Sequence, residues 1–301
     1  MDHLNRSARG CLCCGDHHLK AETTVVSPFL ANRGWKGKPE LTSVMFCARC
    51  GFRFYDRGLS EAEGNSYYQG YRDQTYFKER NRFEPFYTRS AYDGDTTWMA
   101  SPGRRVALAQ VLENAGAPKS FRAALDYGGG TGQMLLDVDA GKRVVFDVSG
   151  GHTEDGVVWI GAQQEVGGDW DLVLSCQVLE HLSDPLGSVE FIAGILSNGG
   201  WFYAEVPDQH WKNSARSGRL RQAWLSWIVD KPLLLVAADT VSTAFRVKCG
   251  FLPPMGFIPM REHLNYFTED ALRALLQRAG FTVPWSGKNA EGAICAVGRR
   301  D

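Results

Sequence analysis

Ala123-Ala-Leu-Asp126-Tyr127-Gly128-Gly129-Gly130-Thr131-Gly132-Gln-Met-Leu135 decides the fold. The apolar run Ala123–Tyr127 reads as a short buried strand, and Gly132–Val138 reads as a short helix. The glycines between them let the backbone approach a ligand with no Cβ in the way. In open α/β sheets ligands lie at the carboxyl ends of the strands, so this loop is where a cofactor is expected. The spacing differs from the dinucleotide fingerprint G-x-G-x-x-G, because Gln133 holds the sixth position. A phosphate-binding Lys-Ser/Thr pair is also missing from the loop.

Working outward, strands and helices alternate. Pro102 opens a helix that ends at Gly116 and Pro118; strands follow at Arg143–Val148, Val157–Ile160 and Leu172–Cys176. A helix at Pro185–Leu196 closes on Asn198-Gly199-Gly200, and Trp201–Val206 is again a strand. Thr268–Ala279 is a helix, and Phe281–Trp285 and Ile294–Val297 are the last strands. This rhythm predicts a mostly parallel sheet with helices on both faces. Residues 208–262, with Trp211, Trp224 and Trp227, break the rhythm and read as an inserted lid.

The whole chain has 301 residues, 44% apolar and 22% charged, which is ordinary globular composition. Its 33 basic and 34 acidic side chains leave a formal charge of −1. That balance argues against a protein that lives by gripping nucleic-acid phosphate. The best apolar run, Trp224–Ala238, is broken by Asp230, Lys231 and Pro232, so no membrane span is expected. MDHLNRSARGCLCCG has no apolar signal region, and the expectation is a cytoplasmic protein.

Five of the eight cysteines lie in the first 50 residues: Cys11, Cys13, Cys14, Cys47 and Cys50. Cys176, Cys249 and Cys295 are scattered singly. In a reducing compartment such a cluster argues for metal rather than disulfides. Cys11-Leu-Cys-Cys14-Gly15 and Cys47-Ala-Arg-Cys50-Gly51 are two C-x-x-C-G knuckles, and together they supply the four sulfurs of a closed zinc site. Cys13 can stand in for either neighbour. With all four positions taken by thiolates, one structural zinc is expected on a ribbon-like module at 1–60.

Asp126-x-Gly128-x-Gly130-x-Gly132 is similar to motif I of class I S-adenosylmethionine (SAM) methyltransferases. Asp147, 21 residues after Asp126, resembles the acidic residue that accepts both ribose hydroxyls of SAM in that family. Asp171–Pro185 and Gly199–Pro207 look like its fourth and fifth strands. The resemblance implies a Rossmann-like methyltransferase domain at 101–301, interrupted at about 208–262. It implies SAM contacts from Asp126, Gly128, Gly129, Gly130, Thr131, Gly132, Asp147 and Gln177. Only a few residues separate Ser149 from Val157, so the usual helix there is shortened or missing, and Gln163 or Gln164 is the remaining candidate for adenine.

For the acceptor side the histidines are the first candidates, because their pKa lies near neutrality. His3, His17 and His18 sit beside the cysteines; His152 and His210 belong to no motif. His181, in Leu-Glu-His-Leu, follows the fourth strand. Glu262-His263-Leu-Asn-Tyr266-Phe267 resembles the E-H-x-x-Y-F segment of zinc-containing sugar methyltransferases, whose second histidine in Y-H-E-H is the base. Here Met260 and Arg261 replace that tyrosine and first histidine. The likeness implies His263 as base, Glu262 orienting its ring and Tyr266 sharing the proton network, with His181 as the second choice.

Residues 61–100 form an aromatic-rich connector, and 65–92 hold six of the ten tyrosines. Their pattern resembles one in surface-polysaccharide-associated methyltransferases, with Arg72, Arg80 and Arg82 as candidate anion holders. Taken together, these readings imply methyl transfer to a small or carbohydrate acceptor, first of all a sugar hydroxyl. The rivals are N- or C-methylation of a secondary metabolite or deoxysugar nucleotide, and a zinc-ribbon binding module on a non-catalytic SAM-like fold.

Overall fold

The computed structural model describes residues 5–99, 101–150, 152–209 and 218–301. His3, His210 and Trp211 lie outside the described residues.

Two sheets make up the molecule. The N-terminal one begins with β1 (Leu19–Val25), β2 (Leu41–Cys47) and β3 (Arg53–Tyr55), all antiparallel, with α1 (Pro28–Trp35) between the first two. Three helices follow, α2 (Glu61–Tyr68), α3 (Gln74–Phe83) and α4 (Arg89–Met99), then α5 (Pro102–Asn114). The second sheet is built from β4 (Ser120–Tyr127), β5 (Asp139–Phe146), β6 (Val158–Ile160), β7 (Trp170–Cys176) and β8 (Leu196–Val206), with α6 (Pro185–Ile195) between the last two. After α7 (Arg219–Ile228) and α8 (Pro232–Cys249), β9 (Asn265–Tyr266) returns to β3 and completes the N-terminal sheet. The chain ends with α9 (Glu269–Arg278), β10 (Thr282–Lys288) and β11 (Ile294–Arg299).

The large sheet has the order β10-β11-β8-β7-β4-β5-β6. Strands β4 to β8 are parallel, and only β11 runs against its neighbours. Order reverses between β4 and β7, and at that switch point a crevice opens beyond the strand ends. Helices cover both faces, as expected. On one face α6 and α9 pack Val189, Ile192, Leu272 and Leu275; on the other α5 packs Leu108 and Val111. Each helix starts where its sequence caps it: Ser101, Asp184 and Thr268 accept hydrogen bonds from Gly103, Gly187 and Ala271.

The structure departs from the sequence reading at several places. The helix expected over Gly132–Val138 is a single 3-10 turn, Gln133–Leu135. Among the described residues no helix joins β5 to β6, in line with the shortened segment. Asn265–Tyr266, read as part of the methyltransferase domain, belongs to the N-terminal sheet. In the inserted region α7 does not stand free: Leu225, Ile228 and Val229 bury against Val25 of β1 and Phe257. No described helix is long and apolar enough to cross a membrane.

Candidate active site

The glycine loop leaves β4 at the switch point. Gly128, Gly130 and Gly132 all have positive φ, +77°, +59° and +79°. At Gly130 a Cβ would project into open space, so the loop is a cradle with room above it. Its amide donates to Asp147 Oδ2 at 2.8 Å, while Oδ1 accepts from the Ser149 amide at 2.8 Å and from its hydroxyl. The carboxylate is thereby held at the tip of β5, half-exposed toward the crevice.

Asp126 lies beneath the loop, fully buried, and neither carboxylate oxygen has a hydrogen-bond partner. A Cβ on Gly129 would come within 2.1 Å of that carboxylate, so only glycine fits there. Burial, reinforced by the charge of Asp147, pushes the Asp126 carboxyl up to about 7. A buried acceptor left unsatisfied costs about 1–3 kcal/mol, which marks this floor as built for a cationic or hydrogen-donating ligand. The residues therefore fit SAM, a positively charged ligand with two ribose hydroxyls. Thr131 reaches Glu154 Oε1 at 3.3 Å and so borders the same opening. Gln177, at φ +61°, gives its amide to the Glu205 carbonyl and its Nε2 to Glu205 Oε1 at 3.0 Å. Glu205 also receives Arg104, Tyr203 and Asn289, a network that locks the ends of β7, β8 and α5 together.

The acceptor side is built from distant segments. The 3-10 turn Leu179–His181 at the end of β7 meets the segment entering β9. Leu264 donates its amide to the Glu180 carbonyl at 2.7 Å, and buried Asn265 donates Nδ2 to the carbonyls of Leu179 and Leu182. Arg6, itself buried, holds Asn265 Oδ1 and the Ser183 carbonyl. These bonds put the rings of His181 and His263 edge to face, 4.7 Å between centroids. Nδ1 of His181 lies 3.0 Å from the Glu262 carbonyl, and Nδ1 of His263 lies 3.0 Å from Gln209 Oε1. Burial, then the neighbouring His181, pushes His263 down to about 3, and His181 is lowered for the first of these reasons. Both imidazoles are neutral at pH 7.

Glu262 is not the orienter of the His263 ring that its spacing suggests. Its carboxylate receives the hydroxyls of Tyr67, Tyr71 and Tyr76 at 3.1–3.2 Å and the Arg80 guanidinium at 3.1 Å. Burial opposes its charge, but Arg80 and then the two histidines hold it well below the ordinary carboxylate range. The tyrosine-rich helices α2 and α3 are thus fastened to the histidine segment through one side chain. Tyr266 packs against Tyr55 at 6.1 Å, in the aromatic cluster behind the cleft. Arg80 also binds Glu84, and Arg261 binds Glu84 and Asp239, so these two arginines hold elements together; Arg72 stacks on Tyr71 and Arg82 on Phe83.

Glu180, which the sequence reading does not single out, is one of the most unusual groups in the site. It is 1% exposed and neither oxygen has a hydrogen-bond partner. Burial raises its carboxyl to about 8. A charged residue in the short turn that follows a buried strand is the available signal.

In the N-terminal module the two knuckles face each other. Sγ of Cys11 lies 3.6 Å from that of Cys50, and Cys14 lies 3.5 Å from Cys47. The four ligand atoms fall within 4.8 Å of one another. Sulfurs sharing a tetrahedral zinc at about 2.3 Å stand about 3.8 Å apart, so the donor set fits that ion. Cys13 is outside the four, fully buried in the core beside Leu12. Gly15 and Gly51 close both turns, each amide donating to the first cysteine's carbonyl at 2.9 Å. The module is seated on α9: Thr268 donates to the Cys50 carbonyl and Arg278 to that of Cys11.

A family model described as a methyltransferase domain matches residues 99–284, more than half of the chain. No curated protein matches the chain in sequence. Among solved structures, 1,6-didemethyltoxoflavin-N1-methyltransferase of Burkholderia thailandensis, with bound 1,6-didemethyltoxoflavin and S-adenosylhomocysteine, is similar at 16% identity and TM-score 0.44, covering 74% of this chain and 90% of that one. The N-methyltransferase NodS of Bradyrhizobium japonicum is similar at 15% identity and TM-score 0.39, covering 66% and 88%. Human N-acetylserotonin methyltransferase with SAM is similar at 16% and 0.41, covering 80% and 56%. These likenesses are loose, and the assignment rests on the family match and on the glycine loop, Asp126 and Asp147 lying within it: the chain belongs to the methyltransferase domain family.

Proposed function

We propose that the chain transfers the methyl group of SAM to a hydroxyl of a small carbohydrate acceptor, a nucleotide-linked or lipid-linked sugar of surface-polysaccharide or glycoconjugate biosynthesis. The observation that carries this reading is the pair of neutral imidazoles, His181 and His263, 4.7 Å apart beside a tyrosine-lined wall. An amine acceptor needs only orientation, whereas a hydroxyl must lose its proton as the methyl arrives. Bound over Gly128–Gly132, SAM supplies an electrophilic methyl on a sulfonium. Asp147 holds the ribose, and the fixed glycine backbone sets the direction from which the methyl is presented. The acceptor oxygen forms the new C–O bond as the C–S bond breaks, the electron pair goes to sulfur, and the proton leaves through the histidine pair. Tyr67, Tyr71 and Tyr76 are already committed to Glu262, so they form a rigid wall beside the histidine pair. The four cysteines hold one structural zinc. The protein acts in the cytoplasm, on a small-molecule or glycan partner and not on nucleic acid.

Incubation with methyl-labelled SAM and a panel of nucleotide sugars and lipid-linked glycans, followed by mass spectrometry, tests this. A methyl ether on a sugar ring is the expected product. Label found only on nitrogen or carbon of a secondary metabolite or deoxysugar nucleotide would replace the hydroxyl by that acceptor. Absence of SAM binding would leave the zinc module as a binding unit on an inactive fold.

A further inference from the structure

We propose that Glu180, His181 and His263 hold a divalent first-row cation at the acceptor side of the cleft, a second metal site independent of the four cysteines. The ligand atoms of the three residues lie within 4.8 Å of one another. Oε1 of Glu180 is 3.8 Å from Nε2 of His181. Ligands of one ion at about 2.0–2.2 Å stand roughly 3.0–3.4 Å apart, so a small side-chain rotation closes the set.

Three further features point to a cation. Glu180 is 1% exposed, and both its oxygens lack a hydrogen-bond partner. Each histidine has its Nδ1 against an oxygen, the Glu262 carbonyl for His181 and Gln209 Oε1 for His263. A ring whose Nδ1–H donates to an oxygen presents Nε2 as a bare lone pair, and this backing by a carbonyl is the usual second layer behind a metal-bound imidazole. Each ring is thus backed by an oxygen at Nδ1, and beside them stands a buried carboxyl that no hydrogen-bond partner reaches. The phenol of Tyr68 also lacks a partner, and its ring stands edge to face with His181 at 6.1 Å.

Two histidines and one carboxylate leave coordination positions open. A sugar hydroxyl entering such a position becomes more acidic, as metal-bound water does. This deepens, and in its consequence rests on, the hydroxyl-acceptor reading: with the cation seated the histidines would serve as ligands, the cation would ease loss of the proton, and the proton would pass to solvent in place of the rings. Binding of the cation itself does not depend on the acceptor.

The test uses the full chain with zinc on its cysteines. Mn2+ is added without acceptor and followed by electron paramagnetic resonance, and total metal is counted, including any ion already seated. Two ions per chain are expected for the wild type and one for Glu180→Gln, which keeps the side chain's size and removes its charge. His263→Ala is expected to weaken Mn2+ at least about tenfold. SAM calorimetry on each variant shows that it is folded. One ion per chain in a wild type that binds SAM, or unchanged uptake in Glu180→Gln, overturns the site. Mn2+ uptake with methylation only of amines would keep the site and refute the hydroxyl acceptor; full hydroxyl methylation in chelator by a chain holding only its zinc would do the reverse.

Discussion

The two halves of the cleft are made in opposite ways. The cofactor half is backbone: it is written in residues 126–149, and its key contacts join a loop to the next strand tip, as Gly130 joins Asp147. The acceptor half is side chains drawn from far apart, as in the bond between Tyr67 and Glu262 across 195 positions. A backbone cradle needs only the sheet beneath it. The acceptor half needs the N-terminal sheet as well, because β9 hangs on β3 and carries Glu262 and His263 at its entrance. The lesson is that the small N-terminal module works as scaffolding for the acceptor half of the cleft, and the variants below are chosen to pull the halves apart.

Cys47→Ser should have the largest effect. A structural zinc site supplies on the order of 10 kcal/mol that is also folding energy. Losing it should release the metal, loosen β2, β3 and β9, and abolish turnover. SAM should still bind, because the glycine loop stands on the other sheet. Metal analysis with calorimetry decides; loss of SAM affinity parallel to turnover would show that the halves are not separable.

Glu262→Ala comes next. It takes one of two carboxylates from the Arg80 cation, which is only 12% exposed and keeps Glu84, and it frees three phenols. A buried hydrogen-bonding group left without its partner costs about 1–3 kcal/mol. Chemical denaturation should show this loss, accompanied by release of α2 and α3 from the histidine segment. A change under 1 kcal/mol would mean that water already supports Arg80.

How much of this was readable differs between the halves for a physical reason. Strand ends, helix caps and the glycine loop are local, and Ser101, Asp184 and Thr268 cap their helices as their sequence positions suggest. The helix after Gly132 was not legible, because the short span to Asp139 leaves room only for a 3-10 turn. The two-residue β9 has no periodicity to reveal it and exists only through its pairing with β3. The cysteine spacing left Cys13 open, and the tight turn that brings Gly15 back to Cys11 resolves it by pointing Cys14 at Cys47. Glu262 stood in a legible motif, but its partners lie on α2 and α3, and no spacing within its own segment could name them.

His263→Ala should cut turnover at least about a hundredfold, about 2.7 kcal/mol in barrier, while SAM affinity stays near wild type. His181→Ala should move both, since its turn follows directly on Gln177 at the end of β7. Steady-state kinetics beside calorimetry separates the two. Near-normal turnover in both variants would remove the histidine pair from the chemistry.

On the cofactor side the effects should be smaller and confined to SAM. Asp147→Ala removes the acceptor that Gly130 and Ser149 bind, and with it the ribose contacts proposed above, each expected to be worth on the order of 1 kcal/mol. Gly130→Val adds a branched side chain at φ +59°, where the opening above the loop lies. Affinity for SAM should fall about tenfold or more in each, with the zinc content unchanged. Wild-type affinity in both would move the cofactor elsewhere.

The smallest effect expected is a pH dependence set by Asp126. Its carboxyl, ordinarily at 3.8, is pushed up to about 7 by burial and by Asp147. A raised carboxyl means that the folded chain holds a proton the unfolded chain releases near 4. The contribution of this group to stability therefore falls as pH rises from about 4 to 7 and is level above that. The sulfonium charge of SAM favours the carboxylate and pulls the pKa down, so binding should release a proton and strengthen as Asp126 ionises. Between pH 6 and 8 the gain is at most about tenfold, the ratio of the ionised fractions at those two values. S-adenosylhomocysteine, which lacks the sulfonium, should show a flatter profile, and Asp126→Asn should flatten the profile for both ligands. Calorimetry at the two pH values, in buffers of different ionisation heat, reads affinity and proton release together. An equal slope for both ligands, or a slope that survives Asp126→Asn, would show that the buried carboxyl does not feel the ligand's charge and that the floor of the loop serves packing alone.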